Sequence, residues 1–308
     1  MSNQYHSAWS RLSCAAPLFL AVTLSACGSS GGSGSASSNA VNLDPAAMNW
    51  ELVWSDEFTA PELDSSKWTF DLGNGFSING EYISGWGNNE LQYYTANSSN
   101  LSVTDSGQLQ IQALVEATID AGNVFDYSSA RIKTQGLYMP RFGRVEARIK
   151  LPVGQGLWPA FWMMPQDNVY GTWAASGEID IMEAKGSNPA EVHGTIHYGG
   201  QWPNNTYTSN SYTFREGDIN DYHVYRVDWL PGKIVWYVDD ELYATQTNWY
   251  TTGADFPAPF DQHFYLILNL AVGGHYDGDP QSDAIFPAQM LVDYVRVYDA
   301  PELADYRQ

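Results

Sequence analysis

The chain has 308 residues, 14 of them basic and 35 acidic, for a formal charge of −21 at pH 7. A surface this negative repels polyanions, which sets nucleic acid aside as a partner and disfavours heavily sulfated polysaccharides relative to neutral ones. The only two cysteines, Cys14 and Cys27, stand near the N-terminus, so the rest of the chain has to be held by a packed core instead of disulfides.

In chain order, the first element is a targeting segment. Arg11 supplies a positive flank, Cys14 to Ala26 is mostly apolar or small, and Leu24-Ser25-Ala26-Cys27 leads into a Ser/Gly run. The apolar run is too short for a permanent membrane span. Leu-Ser-Ala-Cys resembles the bacterial lipobox, which implies cleavage after Ala26 and lipidation of Cys27. Residues 1–26 are then a lipoprotein signal peptide, and because the only charge removed is Arg11, the mature chain carries 13 basic against 35 acidic residues, or −22. The expected location is the bacterial cell envelope, at the outer membrane, reached by export and held by lipid; a plain secretory signal cut after Ala26 is the competing reading. Residues 27–44, mostly Gly and Ser as far as Asn39, form an expected flexible tether.

From Asn49 onward, short alternating or β-branched and aromatic runs are broken by Gly, Pro, Asn or Asp, the pattern of an all-β chain. The clearest are LQIQA at 109–113, GRVEARIKL at 143–151, YHVYRVDW at 222–229, IVWYV at 234–238 and MLVDYVRVY at 290–298. Asp239-Asp240 ahead of Glu241-Leu-Tyr predicts a tight hairpin. No stretch keeps a 3.6-residue apolar period, and no repeat or composition break divides the run. The expectation is one domain over 45–300, a two-sheet jelly-roll sandwich with long rim loops, followed by a tail at 301–308.

Within that pattern, Glu178-Ile-Asp180-Ile-Met-Glu183 sets three acids in an apolar run. On a helix the second and third would point about 200° and 140° from the first, so no site would form. On a regular strand Glu178 and Asp180 share a face and Glu183 falls on the other. One extra residue near Ile181 or Met182, a β-bulge, brings Glu183 back to its partners, with Ile179 and Ile181 packed behind. Paired carboxylates are what glycoside cleavage needs: one attacks the anomeric carbon and the other protonates the departing oxygen, with retention of configuration when they lie about 5 to 5.5 Å apart. Crowding by Asp180 keeps at least one proton in the cluster at neutral pH, which suits Glu183 as the acid.

Glu-Ile-Asp-Ile-Met-Glu resembles the E-x-D-x-x-E signature of glycoside hydrolase family 16, in its laminarinase-like branch with the extra bulge residue, and the similarity extends from Trp54-Ser-Asp-Glu-Phe58 to Val292-Asp-Tyr-Val-Arg-Val-Tyr298. The resemblance implies a concanavalin A-like jelly roll with a concave cleft, Glu178 as nucleophile, Glu183 as acid/base and Asp180 as the assisting acid. It implies substrate contacts for Asn89, Trp158 and Trp162 on the non-reducing side of the cut. Trp173 flanks the acids, and Arg131 matches a substrate-side position, although a structural ion pair would explain it equally well. His197, which shares a strand face with His193, is expected in the cleft beside Glu183. No histidine spacing suggests catalytic zinc. A structural calcium ion is implied on the convex side, held by Asp293, Glu57 and Gly107 through carboxylate and backbone oxygens.

The expected activity is therefore a retaining, endo-acting glycosidase of β-1,3- or mixed β-1,3/1,4-glucan such as laminarin, needing no cofactor for its chemistry and working as a monomer. A galactanase of the same fold, acting on agar or carrageenan, and a non-catalytic glucan-binding protein are the rivals. The second would be favoured by a missing glutamate, and neither is missing.

Overall fold

The computed structural model describes residues 43–307 apart from Asn79. The signal segment, Cys27 and the tether through Asn42 lie outside the described residues. The strands are β1 (Glu51–Asp56), β2 (Thr69–Asp71), β3 (Gly75–Ile78), β4 (Glu81–Ser84), β5 (Gln92–Tyr94), β6 (Leu101–Val103), β7 (Leu109–Asp120), β8 (Asn123–Ser129), β9 (Arg131–Lys133) and β10 (Gly143–Lys150). They continue with β11 (Leu157–Pro165), β12 (Glu178–Ala184), β13 (Glu191–Gly199), β14 (Asn205–Thr213), β15 (His223–Leu230), β16 (Lys233–Val238), β17 (Glu241–Gln246), β18 (Phe264–Val272) and β19 (Ala288–Asp299). Among the described residues, no helix is long and apolar enough to cross a membrane.

Two sheets carry the fold, and the chain is the all-β jelly-roll sandwich its patterning predicts. A ten-stranded sheet runs β17-β16-β15-β10-β19-β7-β8-β5, with β1 added beside β19 and β6 beside β7. A seven-stranded sheet runs β14-β13-β12-β11-β18-β9-β2. Alternation explains the layering: in β10, Val145, Ala147 and Ile149 are fully buried while Arg144 and Arg148 are only partly so. β18 departs from alternation because it is central in its sheet and every residue from Phe264 to Val272 is buried. Between the sheets pack Trp68, Phe161, Trp229, Trp236, Phe260 and Phe264, among others. Their combined area is the stabilising term that stands in for the absent disulfides.

Asp239 and Asp240 form the two-residue turn between β16 and β17, with φ of 48° and 67°. Left-handed conformations at both central positions match the twist of the flanking strands. The last residues differ from the tail expected at 301–308. Pro301–Tyr306 forms a 3-10 turn that buries Leu303 completely, Glu302 accepts a 2.7 Å hydrogen bond from Asn49, and Arg307 pairs with Asp299. A proline start and a leucine in the core make this segment part of the sandwich.

Candidate active site

β12 carries the acids, and its neighbours reveal its irregularity. Against β13, Glu178 faces His197, Asp180 faces Thr195 and Glu183 faces His193, so three steps on β12 match two on β13. Against β11, Met182 faces Phe161 and Asp180 faces Trp162, again with one residue to spare. This is the bulge expected at Ile181 or Met182. Ile179, Ile181, Met182 and Ala184 all enter the core. Directly opposed residues of an antiparallel pair share a face. His193 and His197, four residues apart on β13, therefore place Glu183 and Glu178 on one face of the sheet.

The register carries this face across all seven strands. From Asp180 it passes through Trp162 and Ile267 to Lys133, and from Glu183 through Ala160 and Asn269 to Arg131 and Asp71. Ala160, opposite Glu183 and between Trp158 and Trp162 on β11, is small enough to leave room there. The bulge is braced from the other sheet, where Trp236 of β16 donates its indole N–H to the Asp180 carbonyl at 2.9 Å. Gly194 admits that indole, since a Cβ at 194 would lie 2.4 Å from the Trp236 ring.

Each glutamate is held by one indole. Trp173 Nε1 donates to Glu178 Oε2 at 2.9 Å, and Trp158 Nε1 donates to Glu183 Oε1 at 2.9 Å. Trp173 sits in a 3-10 turn with a left-handed φ of 50°, a costly conformation that the packing around it sustains. Gly177, with φ of 88°, brings the chain from that turn into Glu178, and a Cβ there would come within 2.8 Å of Phe260. Burial first, and then the charge of Glu178, push the Glu183 carboxyl up to about 7, with the Trp158 hydrogen bond working in the opposite direction. Burial and both glutamates push Asp180 well above the usual carboxylate range. Among the described residues Asp180 Oδ2 has no hydrogen-bond partner, and the nearest basic group is His197 Nε2 at 3.5 Å.

The other expected residues fall on or around this face, with two changes of role. His197 lies against Glu178, at 3.6 Å, and Asp180 instead of beside Glu183, because the register pairs it with Glu178; His193 takes the place opposite Glu183. Arg131 is on the face, but its Nε stands 2.9 Å from Asp71 and its guanidinium lies over the rings of Trp86 and Trp162 at 4.4 and 4.8 Å. It therefore braces both indoles. Trp162 is further fixed by donating to Asn269 at 2.7 Å, and Asn269 in turn donates to Tyr94. Asn89, exposed and left-handed at φ of 58°, lies 3.0 Å from His275 Nε2.

Trp236, Asn269 and Tyr276 carry no signal that the sequence reading used, and His193, known from it only to share a face with His197, proves to stand opposite Glu183. Tyr276 stacks on Trp158 at 4.9 Å and meets His193 Nδ1 at 2.8 Å, while His193 Nε2 faces Glu191 at 2.9 Å. The Gly-Gly-His-Tyr run at 273–276 was the available signal, two glycines bringing aromatic side chains close to another loop.

Of the expected calcium set, Glu57 holds Arg296 through both carboxylate oxygens at 2.8 Å, which lowers its pKa, and Asp293 holds Arg148 at 2.8 Å. Gly107 does lie near this chain segment, since a Cβ at 107 would stand 3.7 Å from the Phe58 carbonyl oxygen. Neither carboxylate needs an ion to balance its charge.

The chain is similar to known proteins over most of its length. The chain is 49% identical over 266 residues to glucan endo-1,3-beta-glucosidase A1 of Niallia circulans, covering 83% of this chain and 39% of that protein. It is 43% identical over 268 residues to a beta-glucanase of Rhodothermus marinus, covering 82% of this chain and 86% of the relative. The X-ray structure of endo-beta-1,3-glucanase from Pyrococcus furiosus superposes with a TM-score of 0.72 at 42% identity, over 82% of this chain and 95% of that one. With residues 80–296 matching the profile of Glycosyl hydrolases family 16, and a bulged E-x-D-x-x-E strand at the centre of its acid face, the chain belongs to that family.

Proposed function

We propose that the protein is an endo-acting hydrolase of β-1,3- or mixed β-1,3/1,4-glucan that retains anomeric configuration. The observation that carries this reading is the bulge, which aligns Glu178 and Glu183 on one face while each takes a 2.9 Å indole hydrogen bond. Each indole steadies one carboxylate oxygen and leaves the other to face the sugar. Glu178 is the nucleophile: it attacks the anomeric carbon as the glycosidic bond breaks, and Glu183 gives its proton to the departing oxygen. A glycosyl ester on Glu178 results, and Glu183, now ionised, takes a proton from the incoming water that releases the sugar. Burial and the charges of Glu178 and Glu183 push Asp180 well above the usual carboxylate range, which disfavours a third negative charge between the glutamates. A carboxylate pair needs no cofactor for this chemistry. The flanking amide and aromatic groups of Asn89, Trp158, Trp162, Trp173 and His197 suit the hydroxyls and C–H faces of a neutral sugar chain, with Arg131 holding Trp162 in place.

The test is NMR observation of the first product released from laminarin and from lichenan, with agarose and carrageenan as controls. Initial β-anomer from the glucans supports the reading. Initial α-anomer, or cleavage of the galactans alone, contradicts it.

Two subsidiary readings belong here. The Leu-Ser-Ala-Cys run supports export and a lipid anchor at Cys27, so Cys27→Ala should move the protein from the membrane to the soluble fraction. Hard oxygen donors at Glu57, Gly107 and Asp293 support a structural calcium site, which Arg148 would have to share with the ion. A chelator should then lower the melting temperature, and an unchanged value removes the site.

A further inference from the structure

The sheet order puts β13 and β14 on the opposite side of the acids from Trp162, Asn269 and Arg131. The acid face continues onto them. Tyr207 of β14 faces His197 in register and is 63% exposed, and Ser209 and Ser211 face Thr195 and His193 on the same side. In the loop between the two strands, Trp202 is 74% exposed. Its ring centroid lies 6.4 Å from Trp173, that of Trp173 lies 5.5 Å from His197, and that of His197 lies 5.5 Å from Tyr207. A continuous band of rings thus runs outward from the residue that donates to Glu178.

One exposed aromatic side chain needs no explanation. Here, though, the loop is fixed, so Trp202 is held in water by design of the backbone. Gly200 and Asn204 close the loop with a 3.2 Å hydrogen bond, Asn204 also bonds Gln201, and Thr172 from the Trp173 loop donates to Gln201 at 2.9 Å. The chain from Tyr198 to Phe214 contains no charged residue, in a protein with 35 acids and 14 bases. Flat rings beside a strip of neutral hydroxyls and amides fit the C–H faces and hydroxyls of an uncharged sugar.

We propose that Trp202 and Tyr207, beyond Trp173, form a platform for the leaving-group side of the glucan, binding sugars past the bond that is cut. This rests on the assignment of Glu178 and Glu183 to the reaction. The platform binds the chain and takes no part in bond breaking.

The experiment compares the full chain with Trp202→Ala, Tyr207→Ala and Trp202→Phe on two substrates. One is a linear β-1,3-gluco-oligosaccharide long enough to occupy both sides of the acids. The other is an aryl β-glucoside oligomer, whose leaving group ends at the first position past the cut. Each alanine variant should lose about tenfold in kcat/KM on the oligosaccharide, the scale of one lost aromatic contact. The aryl substrate should change by less than about twofold, and Trp202→Phe should recover most of the loss. Equal losses on both substrates, or none on either, overturn the platform. Neither result touches the parent reading, which falls instead if Glu178→Gln keeps its activity on the aryl substrate.

Discussion

The ten-stranded sheet and the acid strand β12 treat their carboxylates in opposite ways. On the ten-stranded sheet, acids alternate with guanidinium groups: Arg144 grips Asp228 through 2.7 and 2.9 Å bonds, Arg148 holds Asp293, Arg226 meets Asp240, and Glu146 stands in register between Arg226 and Arg296. On the seven-stranded sheet, the positions facing Glu178, Asp180 and Glu183 hold His197, Thr195, His193, Trp162 and Ala160, with no lysine or arginine among them. Acids that are matched hold strands together; on the face braced by indoles, burial and neighbouring charge instead push Glu183 and Asp180 above the usual carboxylate range. The stability of the first set makes the reactivity of the second tolerable.

That contrast can be broken from either side. Removing an unmatched acid should destroy turnover and spare the fold: Glu178→Gln should be inactive, and Glu183→Gln should be slowed by about 10²–10⁴ on the natural glucan, with melting temperatures at or above that of the parent. Removing a matched cation should do the reverse. Arg144→Ala leaves the fully buried Asp228 without its bidentate partner and should lower unfolding free energy by about 3–5 kcal/mol in urea titrations, with kcat unchanged for the folded fraction.

A third test uses pH. A free glutamate loses its proton near 4.5, but folded Glu183 keeps its proton to about 7. Between these values the folded chain binds more protons than the unfolded one, so stability should fall as pH rises from about 4.5 to about 7. Glu183→Gln should flatten that slope, and turnover should decline above about 7 as the acid form is lost. The smallest expected effect comes from Trp158→Phe. Its indole bond lowers the Glu183 pKa, so its loss should shift the alkaline limb of the kcat/KM profile upward and cost about tenfold in turnover.

How much of this was legible in the sequence follows from how local each feature is. The bulge was, because the odd spacing of Glu183 from Glu178 cannot place both on one face without an extra residue. The hairpin at Asp239-Asp240 and the alternation in β10 were local too. Register was not: whether His193 or His197 faces Glu183 depends on how β13 aligns with β12, and nothing within 193–197 states it. Trp236 reaches Asp180 from the other sheet, and Tyr276 reaches Trp158 from a loop far along the chain, contacts that only the folded topology creates. Arg131 carried two readings in the sequence, and the ion pair is the one visible in the fold, formed with Asp71, which β2 brings alongside β9. Leu303 read as part of a tail because a single buried leucine after a proline leaves no periodic signal.

A retaining mechanism requires one particular carboxylate to receive the sugar. Incubating the protein with a 2-deoxy-2-fluoro β-gluco-oligosaccharide bearing an activated leaving group, and mapping the trapped peptide by mass spectrometry, should place the added sugar on Glu178. Label on Asp180 or Glu183, or an enzyme that turns over without any covalent adduct, would contradict it.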